Sequence, residues 1–402
     1  MIFSELSAAM EWFKAGKPVI VVDALSRENE GDIIFPADCA TPEKINFCAS
    51  HGKGLVCIAI DEKTANRLSL NKLNSNQKDQ FHTSFYEPID AAHHHGTTTG
   101  ISAFERCITA KLICDENAGK DDFIKPGHLF PIVAKESGVL VRQGHTEAGV
   151  DLCKLTGHYP AAIICEIMND DGSMMRRDDL SVFTDKHKLP IISIQQIVEY
   201  RMMNENHVSL MSSAQLPTDY GTFQIHVFKN NLNDTEHVVL EKNSNRSNRP
   251  IVRIHSECLT GDVFSSLKCD CKYQLEKSME MIEENENGLI IYMRGHEGRG
   301  IGIGNKIAAY AIQENGIDTF KANEMLGMPI DARNYQDAAW ILKHFNYQDF
   351  DLITNNDEKL NVLINNGLSP KQIQFNAKVT KHNEKYLIDK INIGKHKMIL
   401  EQ

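Results

Sequence analysis

The stretch 255–271, HSECLTGDVFSSLKCDC, puts Cys258, Cys269 and Cys271 within fourteen positions, the sharpest local constraint on how this chain folds. A thiolate binds a soft or borderline metal such as zinc at about 2.3 Å. A turn is expected to bring the two sulfurs of the C-x-C pair together. No fourth cysteine or C-x-x-C partner follows nearby. Three protein ligands and one open position describe a catalytic zinc, whose bound water loses a proton near neutral pH. Three reduced core cysteines are the plainer alternative. The polar, Gly- and Asp-bearing surroundings favour the metal.

At 402 residues the chain has room for two or three domains with full cores. It holds no run of about eighteen apolar residues, so no membrane partner is expected. The opening MIFSELSAAMEWFKAG lacks a basic n-region, and its apolar residues recur at helical spacing. It predicts an amphipathic helix, not a signal peptide. Ten cysteines spread along such a chain point to a reducing cytoplasm. The net charge of −11 disfavours nucleic acid as a partner but leaves room for a small anionic substrate held by a few Arg and Lys residues.

Along the first half, PVIVVD (18–23) reads as a buried strand, and IIF (33–35) as the next. Between them lies RENEGD, with Arg27, Glu28 and Asp32. Carboxylates at alternate positions of an extended segment share a side and can hold magnesium. TPEKINFCAS predicts a helix capped by Thr41, with Pro42 in its first turn. The run His93–His95 is read as loop, because consecutive side chains diverge. TTTGISAFERCITAKLI opens a helix whose Thr hydroxyls and amides can meet a phosphate. His128 is expected in a Pro/Gly turn before a strand. VLVRQGHTEAGVDLCKLTG reads as strand, turn and helix, with Arg142, His145 and Thr146 at the turn. Glu166 lies in an apolar run, where a carboxylate is costly to bury unless paired or metal-bound.

RENEGD, PGHLFP, RQGHTEA and CEIMNDDG resemble the motifs of the 3,4-dihydroxy-2-butanone-4-phosphate synthase family over residues 1–202. The resemblance implies conversion of ribulose 5-phosphate to a four-carbon ketone phosphate plus formate, with Mg2+ (or Mn2+). By position, Glu28 and His145 resemble the magnesium ligands. Arg27, Glu28, Asp32, Arg142, Gln143, Gly144, His145, Thr146 and Glu166 resemble the substrate contacts. His128 and Glu166 resemble the residues that move protons. Asn29 departs from the family, standing where an acid is common.

A helix over 192–203 and a polar break at 204–206 place the domain boundary near 202. LPTDYGTFQIHVF then restarts as turn plus strand, and the Asn-rich 229–248 reads as hairpin tip or loop. IVRIHSE is a strand with Arg253, His255 and Glu257 on one face. Residues 272–286 predict a helix and GLIIYMRG a strand. EGRGIGIGNK follows, a weak phosphate-loop signal taken alone.

RIHSECLTGDVFSSLKCDC, EGRGIG, NKIAAYAIQ and LITNN resemble the GTP cyclohydrolase II family from about 208 to the end. The resemblance implies that Cys258, Cys269 and Cys271 hold Zn2+. It implies GTP contacts at Arg253, Ile254, His255, Ser256, Glu257, Gln274, Glu297, Gly298, Arg299, Thr319, Thr354 and Lys359. Asp331 resembles the proton acceptor, Arg333 the nucleophile toward the α-phosphorus, and Tyr310 a tyrosine of the ring chemistry.

The sequence thus predicts an α/β protein with mixed sheets and two unlike domains in tandem, 1–202 and 203–402. The two resemblances together imply a bifunctional lyase and hydrolase supplying both riboflavin precursors, and a homodimer. Its rivals are a chain with one active half and a GTP-binding sensor with a structural zinc.

Overall fold

Val19–Val22 is a β-branched run, and such side chains pack well on a pleated surface covered on both faces. The computed structural model of this chain describes residues 3–73, 83–314, 317, 321, 324–329, 331–378, 383 and 400–401. It divides into two compact units, Met1–Asn204 and Glu205–Gln402. Each is a mixed α/β unit built on one seven-stranded sheet.

The first sheet contains β1 (Val19–Val22), β2 (Gly31–Pro36), β3 (Cys57–Ile60), β4 (Ile89–Ala91), β5 (Phe123–Val133), β6 (Ala161–Glu166) and β7 (Ile191–Ser193). Their order is β4-β5-β3-β6-β2-β1-β7. β1 pairs antiparallel with β2, and β2 antiparallel with β6, which sets Asp32 opposite Glu166. Strand alternation sends Ile20, Val22, Ile33 and Phe35 to one face and Val19, Val21 and Ile34 to the other. Helices α1 (Leu6–Lys14), α5 (His145–Thr156) and α7 (Ile194–Asn204) cover the second face; α2 (Pro42–Phe47), α3 (Glu62–Arg67), α4 (Ala103–Ile113) and α6 (Arg177–His187) cover the first.

The expected amphipathic helix is α1, which buries Ala9 and Phe13. The expected cap of α2 forms, with Thr41 Oγ1 accepting from the Lys44 amide at 3.4 Å. Three expectations change. His128 lies inside β5, not in a turn before it, because residues 123–133 stay extended through Pro126 and Gly127. The apolar Gly138–Leu140 is a single helical turn and not a strand: its Val139 amide is satisfied by Asp151 Oδ2 at 2.8 Å, so no ladder is needed. Glu166 is exposed at the end of β6, so the cost of burying it does not arise.

The second sheet contains β8 (Val208–Thr218), β9 (Gly221–Asn230), β10 (Glu236–Asn243), β11 (Ile251–Ser256), β12 (Asn287–Met293), β13 (Asp349–Ile353) and β14 (Ser369–Ile373). Its order is β14-β13-β11-β12-β10-β9-β8. β14, β13, β11 and β12 run parallel; β10, β9 and β8 form an antiparallel meander. Helices α8 (Cys271–Asn285), α9 (Gly302–Gln313), Gln336–His344 and Asp357–Asn365 accompany it. Two strands fall where loop or turn was expected, β8 from Val208 and β10 within the Asn-rich stretch. In β10 His237 and Val239 are buried against the core while Glu236 stays exposed, an alternation that the flanking asparagines mask. Among the described residues no helix is long and apolar enough to cross a membrane. All ten cysteines are free of disulfides.

Each unit holds one of the two tryptophans, Trp12 and Trp340, so each reports its own unfolding. Phe35 is fully buried in the first core. In a Trp340→Phe background, Phe35→Ala is expected to destabilise the transition seen by Trp12 by about 3–5 kcal/mol, measured by denaturant titration.

Candidate active sites

In the first unit the β1–β2 turn is organised by Asp23. Its buried carboxylate accepts the amides of Glu28 and Glu30, each at 2.9 Å, and the Arg27 guanidinium at 3.0 Å. Arg27 also reaches Glu28 Oε2 at 2.8 Å. Asn29 takes φ +57°, which breaks the alternation expected for this stretch. Glu30 turns to Arg176 at 3.2 Å, while Glu28 and Asp32 converge on His145, each 3.7 Å from its Nδ1.

Arg27, Glu28, Asp32, Arg142, His145, Thr146 and Glu166 line one pocket with Cys57, Thr83 and the apolar Leu55, Phe85, Ile132 and Ile164. His145 opens α5, so amides of that helix start lie beside the acids. Arg142 is held by Glu147, and it reaches Thr83 Oγ1 at 3.0 Å. Gln143 is exposed, Gly144 caps α5, and neither lines the pocket. His128 does not line it either; its Nδ1 lies 2.6 Å from buried Asp90. The Thr-rich helix start is already occupied: Thr98 Oγ1 and Ser102 Oγ both donate to Glu105, at 2.8 Å each. His94 and His95 meet Asp122, away from the pocket residues.

The electrostatics are those of excess acid. Burial pushes the Asp32 pKa well above the usual carboxylate range, and Glu166, Glu28, Glu30 and Asp23 add to it. Burial lowers the His145 pKa against the pull of Asp23 and Glu28. Asp32 Oδ1 and His145 Nε2 are buried with no hydrogen-bond partner. Orphaned oxygen and nitrogen among five acids form a donor set that fits a hard divalent cation.

In the second unit the functional side chains leave the C-terminal ends of the adjacent parallel strands β12, β11 and β13, where open α/β sheets place their ligands. After β11, Cys258 precedes the turn Leu259–Val263; Cys269 lies in the loop just before a bend at Asp270, and Cys271 begins α8. The three Sγ atoms lie within 4.8 Å of one another, and Cys258 Sγ is 3.7 Å from Cys269 Sγ. Gly261 makes the cradle: a Cβ there would stand 2.8 Å from Cys269 Sγ and 3.1 Å from Cys258 Sγ. The cluster fits a borderline cation that takes thiolates. Hydrogen bonds from Cys269 and Cys271, with the Lys306 ammonium, hold the Cys258 pKa far below its ordinary value. Cys269 is pushed up to about 11 by its bond with Cys258.

Around the sulfurs, Asp262 accepts the Cys258 amide at 3.0 Å, the Tyr292 hydroxyl at 2.8 Å and His255 Nε2 at 3.2 Å. Arg253 NH2 donates to Gln274 at 2.5 Å, and Lys359 Nζ to the Ile254 carbonyl at 2.7 Å. Ser256 Oγ lies 3.3 Å from His296 Nδ1 and 3.4 Å from Arg333 NH1. Burial, with Arg333 and Lys359 nearby, pushes His296 down to about 3, so its ring is neutral. Arg333 makes a two-point pair with Asp331, at 2.8 and 2.5 Å. Burial works to raise Asp331, and the Arg333 pairing outweighs it and leaves Asp331 below its usual range. Glu257 accepts the Gly295 amide, and Gly298 and Arg299 both take positive φ in the turn after β12. Thr354 caps the turn after β13. Tyr310 lies beneath the ammonium groups of Lys268 and Lys306, 4.6 and 5.7 Å from its ring. Thr319 lies outside the described residues.

Sequence reasoning missed Lys306. Its Nζ is 3.2 Å from Cys258 Sγ, 2.9 Å from Thr260 Oγ1 and 2.6 Å from Glu297. The signal was its place one turn into the helix after the Gly-rich loop. Asp23, Asp90 and Asp262 were also missed; Asp23 follows β1, Asp90 lies within β4 and Asp262 sits in the turn after β11.

A 3,4-dihydroxy-2-butanone 4-phosphate synthase family model matches residues 7–200, and a GTP cyclohydrolase II model matches 209–373. The riboflavin biosynthesis protein RibBA of Aquifex aeolicus is 46% identical over 387 residues, which span 96% of this chain and 95% of that protein. The chain belongs to the RibBA family of riboflavin biosynthesis proteins. RibBA of Staphylococcus epidermidis is 45% identical over 393 residues, 98% of each chain. The two-domain 3,4-dihydroxy-2-butanone 4-phosphate synthase RibBX of A. baumannii has a crystal structure with TM-score 0.61 and 30% identity, covering 87% of this chain and 94% of that one. This RibBA-family chain is accordingly a bifunctional enzyme of riboflavin precursor synthesis, with a lyase half and a hydrolase half.

Gly100 has φ +88°, and a Cβ there would fall 1.9 Å from Asp90 Oδ2. Gly100→Ala is therefore expected to displace Asp90 and with it His128. Synthase kcat should fall about a hundredfold while GTP cyclohydrolase activity is kept, measured on the same preparation.

Proposed function

We propose that residues 1–202 convert ribulose 5-phosphate to 3,4-dihydroxy-2-butanone 4-phosphate and formate. Residues 203–402 hydrolyse GTP to 2,5-diamino-6-(5-phosphoribosylamino)pyrimidin-4-one, formate and pyrophosphate. The observation that carries the second assignment is the convergence of three sulfurs beside cationic strand-end turns. The first rests on the orphaned Asp32 and His145 atoms in an acid pocket. The protein would work in the cytoplasm as a homodimer, as the family resemblance implies.

Glu28 and His145 would hold Mg2+ or Mn2+, which when bound stabilises the charge of an enediolate. Arg142, Thr146 and the α5 amides suit the substrate phosphate. Glu166, exposed on the pocket wall, and His128, aligned by Asp90, take and return protons.

Cys258, Cys269 and Cys271 would hold Zn2+, which when bound supplies an activated water. Arg253, the backbone at Ile254, His255, Ser256, Gln274, Thr354 and Lys359 would position the nucleotide. The turn 297–299 and Arg333 would meet its phosphates, and Tyr310 stands beside the ring chemistry. Asp331 would be the proton acceptor that the resemblance implies, although its pair with Arg333 weakens it as a base. Its two-point pair keeps Arg333 a cation, which supports charge stabilisation at the triphosphate over the nucleophilic role implied by resemblance.

Formate release from each substrate separates the halves. Glu28→Ala is expected to abolish release from ribulose 5-phosphate and spare release from GTP; Cys269→Ala should do the reverse. A zinc-selective chelator with excess magnesium should stop only the GTP reaction. An intact protein that never consumes one of the substrates would refute bifunctionality. Gly261→Ala should lower the zinc content found by elemental analysis and leave synthase activity unchanged, because its Cβ would force two sulfurs apart.

A further inference from the structure

Asp38, Cys39 and His158 form another donor cluster in the first unit, outside the acid-lined pocket. Their ligand atoms all lie within 4.8 Å of one another. His158 Nδ1 is 3.1 Å from the Asp38 carboxylate and 3.9 Å from Cys39 Sγ. Asp38 and Cys39 belong to the single turn Ala37–Cys39 that follows β2, and His158 follows Gly157 at the end of α5. Asp32 stands near the other end of β2, roughly 15–20 Å away by strand rise.

The ring of His158 is oriented by the backbone. Its Nε2 lies 3.1 Å from the Lys14 carbonyl oxygen, which can only accept, so Nε2 carries the proton. In a neutral ring Nδ1 then turns a lone pair toward a carboxylate and a sulfur. Two lone pairs at this separation repel, so a positive species belongs between them: a proton or a metal ion. Asp38 Oδ2 accepts the Tyr159 amide at 3.1 Å, and Asp38 Oδ1 lies 3.1 Å from the same His158 Nδ1, so the carboxylate faces the ring nitrogen with both oxygens.

An imidazole nitrogen, a carboxylate and a sulfur turned toward one point are the donors a borderline cation prefers. Zinc with bonds of about 2.0–2.3 Å in tetrahedral geometry separates its ligands by roughly 3.3–3.8 Å, close to the spacings here. The carbonyl that anchors Nε2 is the partner metal-bound histidines usually have. The cradle is fixed by the backbone: Lys44 Nζ donates to the Gly16 and Cys39 carbonyls, each at 2.6 Å. A Cβ on Gly16 would come within 2.9 Å of Cys39 Sγ.

We propose that Asp38, Cys39 and His158 bind a thiophilic divalent cation such as zinc, with solvent at the fourth position. The ion clips the end of α1, through Lys14, to the exit of β2 and the start of β6. The sulfur donor selects a thiophilic ion over magnesium, which prefers oxygen ligands.

The test is alkylation of the full chain by iodoacetamide in excess magnesium, with and without zinc, read at the Cys39 peptide by mass spectrometry. Zinc is expected to slow Cys39 modification about tenfold or more, and a chelator to restore it. His158→Gln should remove that protection and leave protection of Cys258, Cys269 and Cys271 unchanged. A Cys39 rate unaffected by millimolar zinc in the natural chain overturns the proposal and assigns the cluster to a proton-bridged ion pair. Protection that survives His158→Gln overturns it as well.

Discussion

Asp23 gathers the amides of Glu28 and Glu30 and the guanidinium of Arg27 onto one buried carboxylate. Hydrogen bonds to a charged group contribute about 1.5–3 kcal/mol each, and losing the acceptor would strand buried donors at further cost. That one group converts a flexible acidic turn into a fixed array in which Glu28 and Asp32 face His145. The second unit repeats the device. Asp262 ties the Cys258 amide to Tyr292 and His255, and Glu297 ties the Leu259 amide to Lys306. In both units a buried acid sets the backbone from which the candidate site residues project.

The two sites resolve their charge in opposite ways. The first concentrates carboxylates in a place that disfavours their ionisation, and burial dominates the shift at Asp32. It is a pocket short of positive charge. The second surrounds one favoured thiolate with an ammonium and two further thiols, with Arg253, Arg333 and Lys359 on the neighbouring strand, loop and helix. A hard ion suits the first arrangement and a thiophilic one the second, so one chain can keep two metals apart by donor chemistry alone.

Much of this was legible in the residues. Buried β-branched runs announced β1, β2 and β12, and the Thr-Pro start announced α2. Motif residues at strand ends announced the first unit's pocket and the second unit's sulfur cluster, since sheet-end turns converge. What escaped had physical reasons. β10 lies among asparagines that read as turn. His128 was assigned to a turn because Pro126 and Gly127 usually break strands, yet β5 continues past them through an irregularity where its pairing with β4 jumps from Ile124 to Leu129. The apolar Gly138–Leu140 looked like a strand because hydrophobicity alone cannot tell a ladder from a turn whose amide is satisfied by a distant aspartate. Lys306, Asp90 and Asp262 act through contacts far along the chain, which spacing does not encode.

Asn29 departs from an acid-rich motif, and its backbone explains the choice. At φ +57° the chain needs a residue at ease in left-handed geometry, and asparagine and aspartate both qualify. Asparagine meets that demand without bringing one more negative charge to a turn where Asp23, Glu28, Glu30 and Asp32 already crowd together. The position thus sets the ionic load of the pocket while leaving its shape alone, a tuning screw that moves no atom of the frame.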